Sequence, residues 1–357
     1  MDLRKNQGIK DVMKKGILLL NLGTPDDTRV SSVRRYLREF LTDPRVIDLP
    51  VLARYLLVFC AILPFRPFKT AKAYRKIWTD DSPLRTITKE MTRLLGQKLG
   101  DDYQVDYAMR YGAPAISTVV AKFQHCDDLT ILPLFPQYSS AATGSAIEKT
   151  LIEVSKKWNI PRINVIHQFY NHPLFIAACV AHVQEHLKTH NRTHNASDET
   201  VLIFSYHGLP ERHIQKSGCM IMCQGDTPCP KISIENKCCY RAQCYETTRL
   251  IAEKLALAPN TFMTSFQSRL GKTPWIKPYT DQALIELREK NIKNLIVFSP
   301  SFTADCLETL EELGIELKKD WLELGGTSLS VLPCLNTNPL WIDALSMLVA
   351  PGDRMAE

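Results

Sequence analysis

The chain has 357 residues, 45% hydrophobic and 23% charged, which is a globular composition and too much chain for one small core. A net charge of +6 suits anionic ligands or an acidic membrane surface; with no RNA-binding or zinc-finger spacing beside it, it is too weak to argue for nucleic acid. Residues 1–16 are polar and lysine-rich, and the apolar run Ile17 to Leu20 is far shorter than a signal peptide needs, so export is not expected and the eleven cysteines are not expected to pair as disulfides.

Taken in order, residues 16–25 read as a buried strand entering the turn Leu22-Gly-Thr-Pro25, and residues 31–41 have helical spacing. Residues 45–65 are the most apolar stretch. Pro50 and Pro64 leave 13 residues between them, short of the roughly 20 a spanning helix needs. Two readings stand: a core helix, or an apolar lip over a pocket or against a membrane. Residues 74–83 read as a polar loop and 87–99 as an amphipathic helix. Residues 105–112 and 129–139 are strands running into turns, 145–159 a helix, and 162–169 a fourth strand.

The second half repeats the order. Strands are expected at 200–207, 261–268, 294–302 and 328–335. The exits match as well: Asn171-His-Pro173-Leu-Phe-Ile-Ala-Ala178 corresponds to Thr337-Asn-Pro339-Leu-Trp-Ile-Asp-Ala344. A repeat of this length means two copies of one βα unit, and alternating strands and helices imply parallel sheets. The expected fold is therefore α/β, with two similar four-stranded parallel sheets flanked by helices and a cleft between them. The expected halves are 15–170, carrying the lip, and 171–349, carrying a cysteine-rich insertion at 217–244.

Open α/β sheets build sites at the carboxyl ends of their strands. Here those ends offer Asn21, Leu22, Arg110, Tyr111, His207, Gln267, Ser268 and Phe302, with Trp275, Asp305 and Glu308 close behind. Asp305, Glu308 and Glu312 are spaced three and four apart and can share one helix face. No Gly-x-Gly-x-x-Gly follows a strand, so no nucleotide cofactor is expected. Gly271-Lys-Thr273 is not a phosphate loop, because Phe266 stands where its first glycine belongs. One imidazole, carboxylates, an arginine and large apolar groups suit a flat, mostly apolar ligand with carboxylate handles.

At these residues the chain resembles the ferrochelatases, which insert ferrous iron into a porphyrin. The resemblance covers about Lys15 to Val349. It rests on Leu19-Leu-Asn-Leu-Gly-Thr-Pro25, Ala108-Met-Arg-Tyr-Gly112, Leu134-Phe-Pro-Gln-Tyr-Ser-Ser140, Phe204-Ser-Tyr-His-Gly-Leu-Pro210, Thr264-Ser-Phe-Gln-Ser-Arg-Leu-Gly271 with Pro274-Trp275, and Phe302-Thr-Ala-Asp-Cys-Leu-Glu-Thr-Leu310. It implies two Rossmann-like halves around a porphyrin cleft, His207 and Glu308 as the catalytic pair, and Leu22, Arg110, Tyr111, Ser268, Trp275 and Phe302 on the porphyrin side. It also implies residues 51–65 as a lip toward the membrane that delivers the substrate. The expected partners are then a porphyrin, protoporphyrin IX first, and Fe²⁺ as substrate. The expected place is the cytoplasm, peripheral to the inner face of the membrane.

Metal insertion needs a buckled ring, two pyrrole protons removed and Fe²⁺ delivered. Packing against Leu22, Tyr111, Trp275 and Phe302 can favour the buckled shape. His207 and Glu308 can each serve as base or as metal guide, and Arg110 can fork onto a propionate. Two alternatives stand beside this reading: a cobalt or nickel chelatase of a related tetrapyrrole, and a non-catalytic tetrapyrrole carrier. The second would not need His207 and Glu308 together.

Six cysteines fall between 219 and 244. A structural zinc would want paired short spacings, which Cys219/Cys223 fit and Cys239/Cys244 fit loosely. A [2Fe–2S] cluster needs four thiolates with freer spacing, and some bacterial ferrochelatases that this chain resembles carry one on an internal segment. The expected ligands are Cys223, Cys229, Cys239 and Cys244, with Cys219 and Cys238 in reserve. His182, His186, His190 and His194 recur every four residues, which reads as a solvated helix edge.

Overall fold

The computed structural model describes residues 14–189, 199–219, 227–269, 271 and 273–350. Two four-stranded parallel sheets form the frame. The first takes β1 (Lys15–Thr24), β2 (Tyr103–Gly112), β3 (Asp128–Pro133) and β4 (Arg162–Val165) in the order β2-β1-β3-β4. The second takes β5 (Thr200–His207), β6 (Phe262–Gln267), β7 (Asn294–Phe298) and β8 (Ser328–Val331) in the order β6-β5-β7-β8. The α/β class and the repeat expected from the sequence are both realised.

Side chains alternate across a strand, so a central strand covered on both faces must be apolar throughout. In β1, Ile17 and Leu19 face one core while Leu18 and Leu20 face another, and all four are buried. In β5, Leu202, Phe204 and Tyr206 point to the first of these cores, and Val201 and Ile203 to a third. One core is thus common to both sheets. It is filled by α4 (Pro83–Leu99), α7 (Pro173–Thr189), α9 (Tyr240–Lys254) and α12 (Pro339–Val349). The outer faces are closed by α5 (Ile116–Val120) and α6 (Ser145–Ser155) on one side. On the other they are closed by α10 (Thr280–Glu289), α11 (Lys318–Glu323) and the π-helical segment Glu308–Leu317. The repeated exits become α7 and α12, both opened by proline at the first helical turn, where its missing N–H costs nothing. They meet through Trp341, stacked on Phe169 at 5.6 Å and edge-on to Phe175 at 5.8 Å.

Several expected elements shift. Residues 74–77 are the last turn of α3 (Arg66–Ile77), not loop, because Tyr74 is buried under the lip. The strands expected at 162–169 and 328–335 end at Val165 and Val331. The helix expected at 145–159 ends at Ser155, and that at 87–99 begins at Pro83. Residues 51–77 do not form one core helix. Val51–Ile62 runs as α2 (Val51–Leu56) and a π-helical continuation, then bends by 67° into α3. No single helix among the described residues is long and apolar enough to cross a membrane. His182 and His186 bond to Pro333 O and Ser330 Oγ and so staple α7 to the exit of β8; His190 and His194 lie outside the described residues.

Candidate active site

β5 lies between β6 and β7, so chain order reverses beside it, and this is where open parallel sheets leave a crevice. His207 is its last residue, paired in register with Gln267. The turn is set by close packing: a Cβ on Gly208 would come within 2.7 Å of Gln267 O and 3.2 Å of the Trp275 ring, so a side chain there would push Trp275 away. The hydroxyl of Tyr240 donates to His207 O at 2.9 Å. His207 Nδ1 lies 2.7 Å from Gly208 O, and a carbonyl only accepts. Nδ1 therefore carries a hydrogen, and in the neutral ring the lone pair is on Nε2. The half-buried imidazole meets Phe302 edge-on at 6.3 Å.

The chain after β7 brings the other groups. Thr303 donates to Leu134 O at 3.1 Å, which ties this turn to the exit of β3 in the other sheet. Asp305 does not share a face with Glu308 and Glu312, as its spacing had suggested. It precedes the helix, buried, and accepts from Thr309 Oγ1 (3.0 Å), Cys334 N (3.0 Å) and Asn336 Nδ2 (2.7 Å). It fastens the turn instead of lining the site.

Glu308 opens the π-helical segment and Glu312 follows one turn later. Ser268, held at φ 68°, donates to Glu312 Oε2 at 2.5 Å. Burial pushes the Glu312 carboxyl above its ordinary range; the Ser268 hydrogen bond and the His207 charge oppose this, and the Glu308 charge adds to it. Glu312 is thus within electrostatic reach of both His207 and Glu308. Burial also raises the Tyr36 and Tyr74 hydroxyls, with Glu308 contributing, and lowers Arg66, with Glu308 and Glu312 opposing. Glu308 is therefore within electrostatic reach of Tyr36, Tyr74 and Arg66 of the first half, and Glu312 of Arg66. On the outer side of the same segment Glu311 and Glu316 are both paired with Lys76.

The first half brings Leu22 and Tyr111 into one apolar cluster with Phe40 and with Leu307, the residue before Glu308. Gly23, at φ 118°, lets the ends of β1 and β2 touch, since a Cβ there would lie 1.8 Å from Tyr111 O. Arg110 and Tyr111 do not stand open as ring-binding groups. Tyr111 is fully buried and donates to Asp43 Oδ2 at 2.8 Å. Arg110 gives Nη2 to the same oxygen (2.6 Å) and Nε to Ser145 Oγ (2.6 Å), with its guanidinium 4.4 Å from the Tyr111 ring centre. Of the fork expected for a propionate, Nη2 is held by Asp43, a residue not singled out from the sequence, and Nε by Ser145. Arg66 and the weight of Glu312 were missed too, although Glu312 was readable from its place four residues after Glu308.

Among the described residues no three Cys, His, Asp or Glu side chains form a set that could hold a metal. Cys223 lies outside the described residues. Cys229 accepts from Arg241 Nη1 at 3.0 Å, Cys239 is buried at the start of α9, Cys219 is half-buried and Cys238 is exposed. Burial in the common core pushes the Cys244 thiol far above its ordinary value. Of the expected set, Cys229, Cys239 and Cys244 are all buried in the common core, and Cys223 lies outside the described residues.

The family profile described as Ferrochelatase matches residues 14–352. A curated ferrochelatase of Legionella pneumophila (strain Lens) is 52% identical over 338 residues, covering 94% of this chain and 99% of the relative. One of Coxiella burnetii (strain CbuK_Q154) is 47% identical over 344 residues, covering 95% and 94%. Among solved structures, SirB from Bacillus subtilis with Fe³⁺ superposes with a TM-score of 0.50 at 12% identity over 95% of this chain and 96% of that one, a likeness of fold alone.

Proposed function

The chain belongs to the ferrochelatase family and inserts ferrous iron into a porphyrin to make haem; from that premise we propose that the porphyrin is protoporphyrin IX and that His207 and Glu308 carry the chemistry, with Glu312 behind them. The observation that carries the reading is the 2.7 Å contact of His207 Nδ1 with Gly208 O. It supports the tautomer in which the neutral ring presents its Nε2 lone pair, the form that can accept a pyrrole proton. Glu308 and Glu312 then guide Fe²⁺ and take the protons onward. Two neighbouring carboxylates do not ionise independently, and the raised Glu312 is the one suited to hold a proton.

Leu22, Ser268, Trp275 and Phe302 are proposed to press the ring, with Tyr111 and Arg110 as the wall behind them. Ser268 serves through Glu312, and Arg110 through Asp43. The halves 15–170 and 171–349 are proposed as the two sides of the cleft. The exposed lip, with Leu52, Leu56 and Phe65 among its apolar side chains, supports peripheral contact with the inner face of the membrane and so a cytoplasmic place for the enzyme.

A [2Fe–2S] cluster on the segment 217–244 is a separate proposal. It is supported by the density of thiols alone, and no step of the insertion depends on it. A visible chromophore in the anaerobically purified protein, lost in Cys223→Ser, is its test. The insertion itself is tested by following haem formation from Fe²⁺ and protoporphyrin IX without oxygen. Replacing His207 with alanine is expected to stop it while porphyrin still binds.

A further inference from the structure

The α1 helix (Val30–Leu41) is amphipathic. Val33, Tyr36, Leu37 and Leu41 are buried against Val58 and Leu63 of the lip. The opposite, exposed face carries Arg34, Arg35 and Arg38 in little more than one turn. Like charges so close repel unless something answers them. Arg35 pairs with Asp26. Arg34 donates to Leu63 O at 3.3 Å and sits 5.8 Å from the Phe68 ring centre. Arg38 has no side-chain partner among the described residues. Its place in the last helical turn suits the helix dipole, which is the plain explanation for one arginine. That explanation does not cover the floor beside it. The three arginines, with Phe59, Leu63 and Pro64, line a groove of about 430 Å³, within the usual size of a small-ligand site.

The groove opens onto the lip. Nine of the exposed large hydrophobic residues fall within residues 49–68, among them Leu52 at 74% and Phe65 at 74% exposure. A concentration of this kind marks a contact surface, not a random scatter. A free phosphate would use the arginines and leave the apolar row bare. A phospholipid uses both: its phosphate takes the guanidinium forks while its acyl region receives the lip.

We propose that this groove is a headgroup site for an anionic phospholipid, with Arg35 and Arg38 contacting the phosphate and Arg34 fixing the groove to the lip. The inference rests on the peripheral-membrane reading above and adds the lipid class and its site. It also sets a direction, since the groove and the lip meet the bilayer together.

The test is sedimentation of the full-length protein with vesicles of phosphatidylcholine alone or mixed with phosphatidylglycerol. The comparison set is wild type, Arg35→Gln/Arg38→Gln and Leu52→Ser/Leu56→Ser, each checked for fold by circular dichroism and for haem formation without vesicles. Wild type is expected to prefer the anionic vesicles. The double arginine variant is expected to lose about fivefold per arginine there, about 25-fold in all, and nothing on neutral vesicles. The lip variant is expected to lose binding to both. Equal wild-type binding to the two vesicle kinds, or anionic binding unchanged in the arginine variant, would overturn the headgroup site and leave the lip reading standing. Failure of wild type to sediment with either kind would overturn both.

Discussion

The two sheets are the same object built twice, β2-β1-β3-β4 and β6-β5-β7-β8, yet their loops do different work. Each half makes its longest excursion between its first and second strands. In the first half that slot holds α1, the lip, α3 and α4; in the second it holds the turn after His207, α8 (Glu211–Lys216), the cysteine segment and α9. The strand ends differ in the same way. The first half offers Leu22, Gly23 and a buried Arg110–Tyr111–Asp43–Ser145 network, groups that hold a shape. The second offers His207, Ser268, Glu308 and Glu312, the groups proposed to move protons or attract a cation. The parallel frame fixes where a site lies, and the strand ends decide what it does.

If the division is real, changes in the second half should strike turnover, and changes in the first should strike ring binding, stability or surface contact. The largest effect belongs to His207. His207→Ala is expected to lower kcat about a thousandfold or more with porphyrin affinity little changed, measured by anaerobic absorbance and fluorescence titration. Glu308→Gln follows, at about a hundredfold in kcat in the same assay. A rise in KM alone in either variant would break the comparison.

Asp43→Asn probes the other half. It leaves the largely buried Arg110 cation without its carboxylate, so a loss of about 3 kcal/mol is expected in denaturant unfolding, with KM for porphyrin raised and kcat largely kept. Its pH dependence has a definite sign. Asp43 is acidified in the fold by the hydrogen bonds of Ser145, Arg45 N–H and Tyr111, which outweigh burial. Its contribution is therefore present above the unfolded value near 3.8 and lost as pH falls through the lower folded value. Wild type and Asp43→Asn should converge in stability at strongly acid pH.

Glu312 behaves in the opposite sense. Burial raises its folded pKa, so its favourable contribution is fully present below about 4.5 and is lost as pH rises through the folded value. Glu312→Gln should thus gain stability over wild type toward neutral pH and match it in acid, while kcat falls about tenfold. The smallest effect is expected at the lip. Leu52→Ser, at a position 74% exposed, should leave stability within about 0.5 kcal/mol in the absence of lipid.

What the sequence made legible follows from the range of the forces involved. β1 and β5 are buried on both faces and could be read directly, as could the repeated Pro173 and Pro339 helix starts. His207 was legible because it ends such a strand. Asp305 misled because residue spacing reports a shared helix face only where a helix exists, and here it begins at Glu308. Asp43 was missed because its partners lie 67 and 102 residues away. Tyr74 was assigned to a loop because local polarity hid its burial beneath the lip. For the cysteines, density in sequence does not select ligands: Cys229, Cys239 and Cys244 share the common core while Cys238 is exposed.

The central claim is that the second half's strand ends perform the insertion and the first half's hold the ring. Its most direct test is anaerobic haem formation from Fe²⁺ and protoporphyrin IX by wild type and His207→Ala, with porphyrin binding measured on the same samples. Haem is expected from wild type and none from the variant, with porphyrin bound by both. Turnover near wild type in the variant would contradict it.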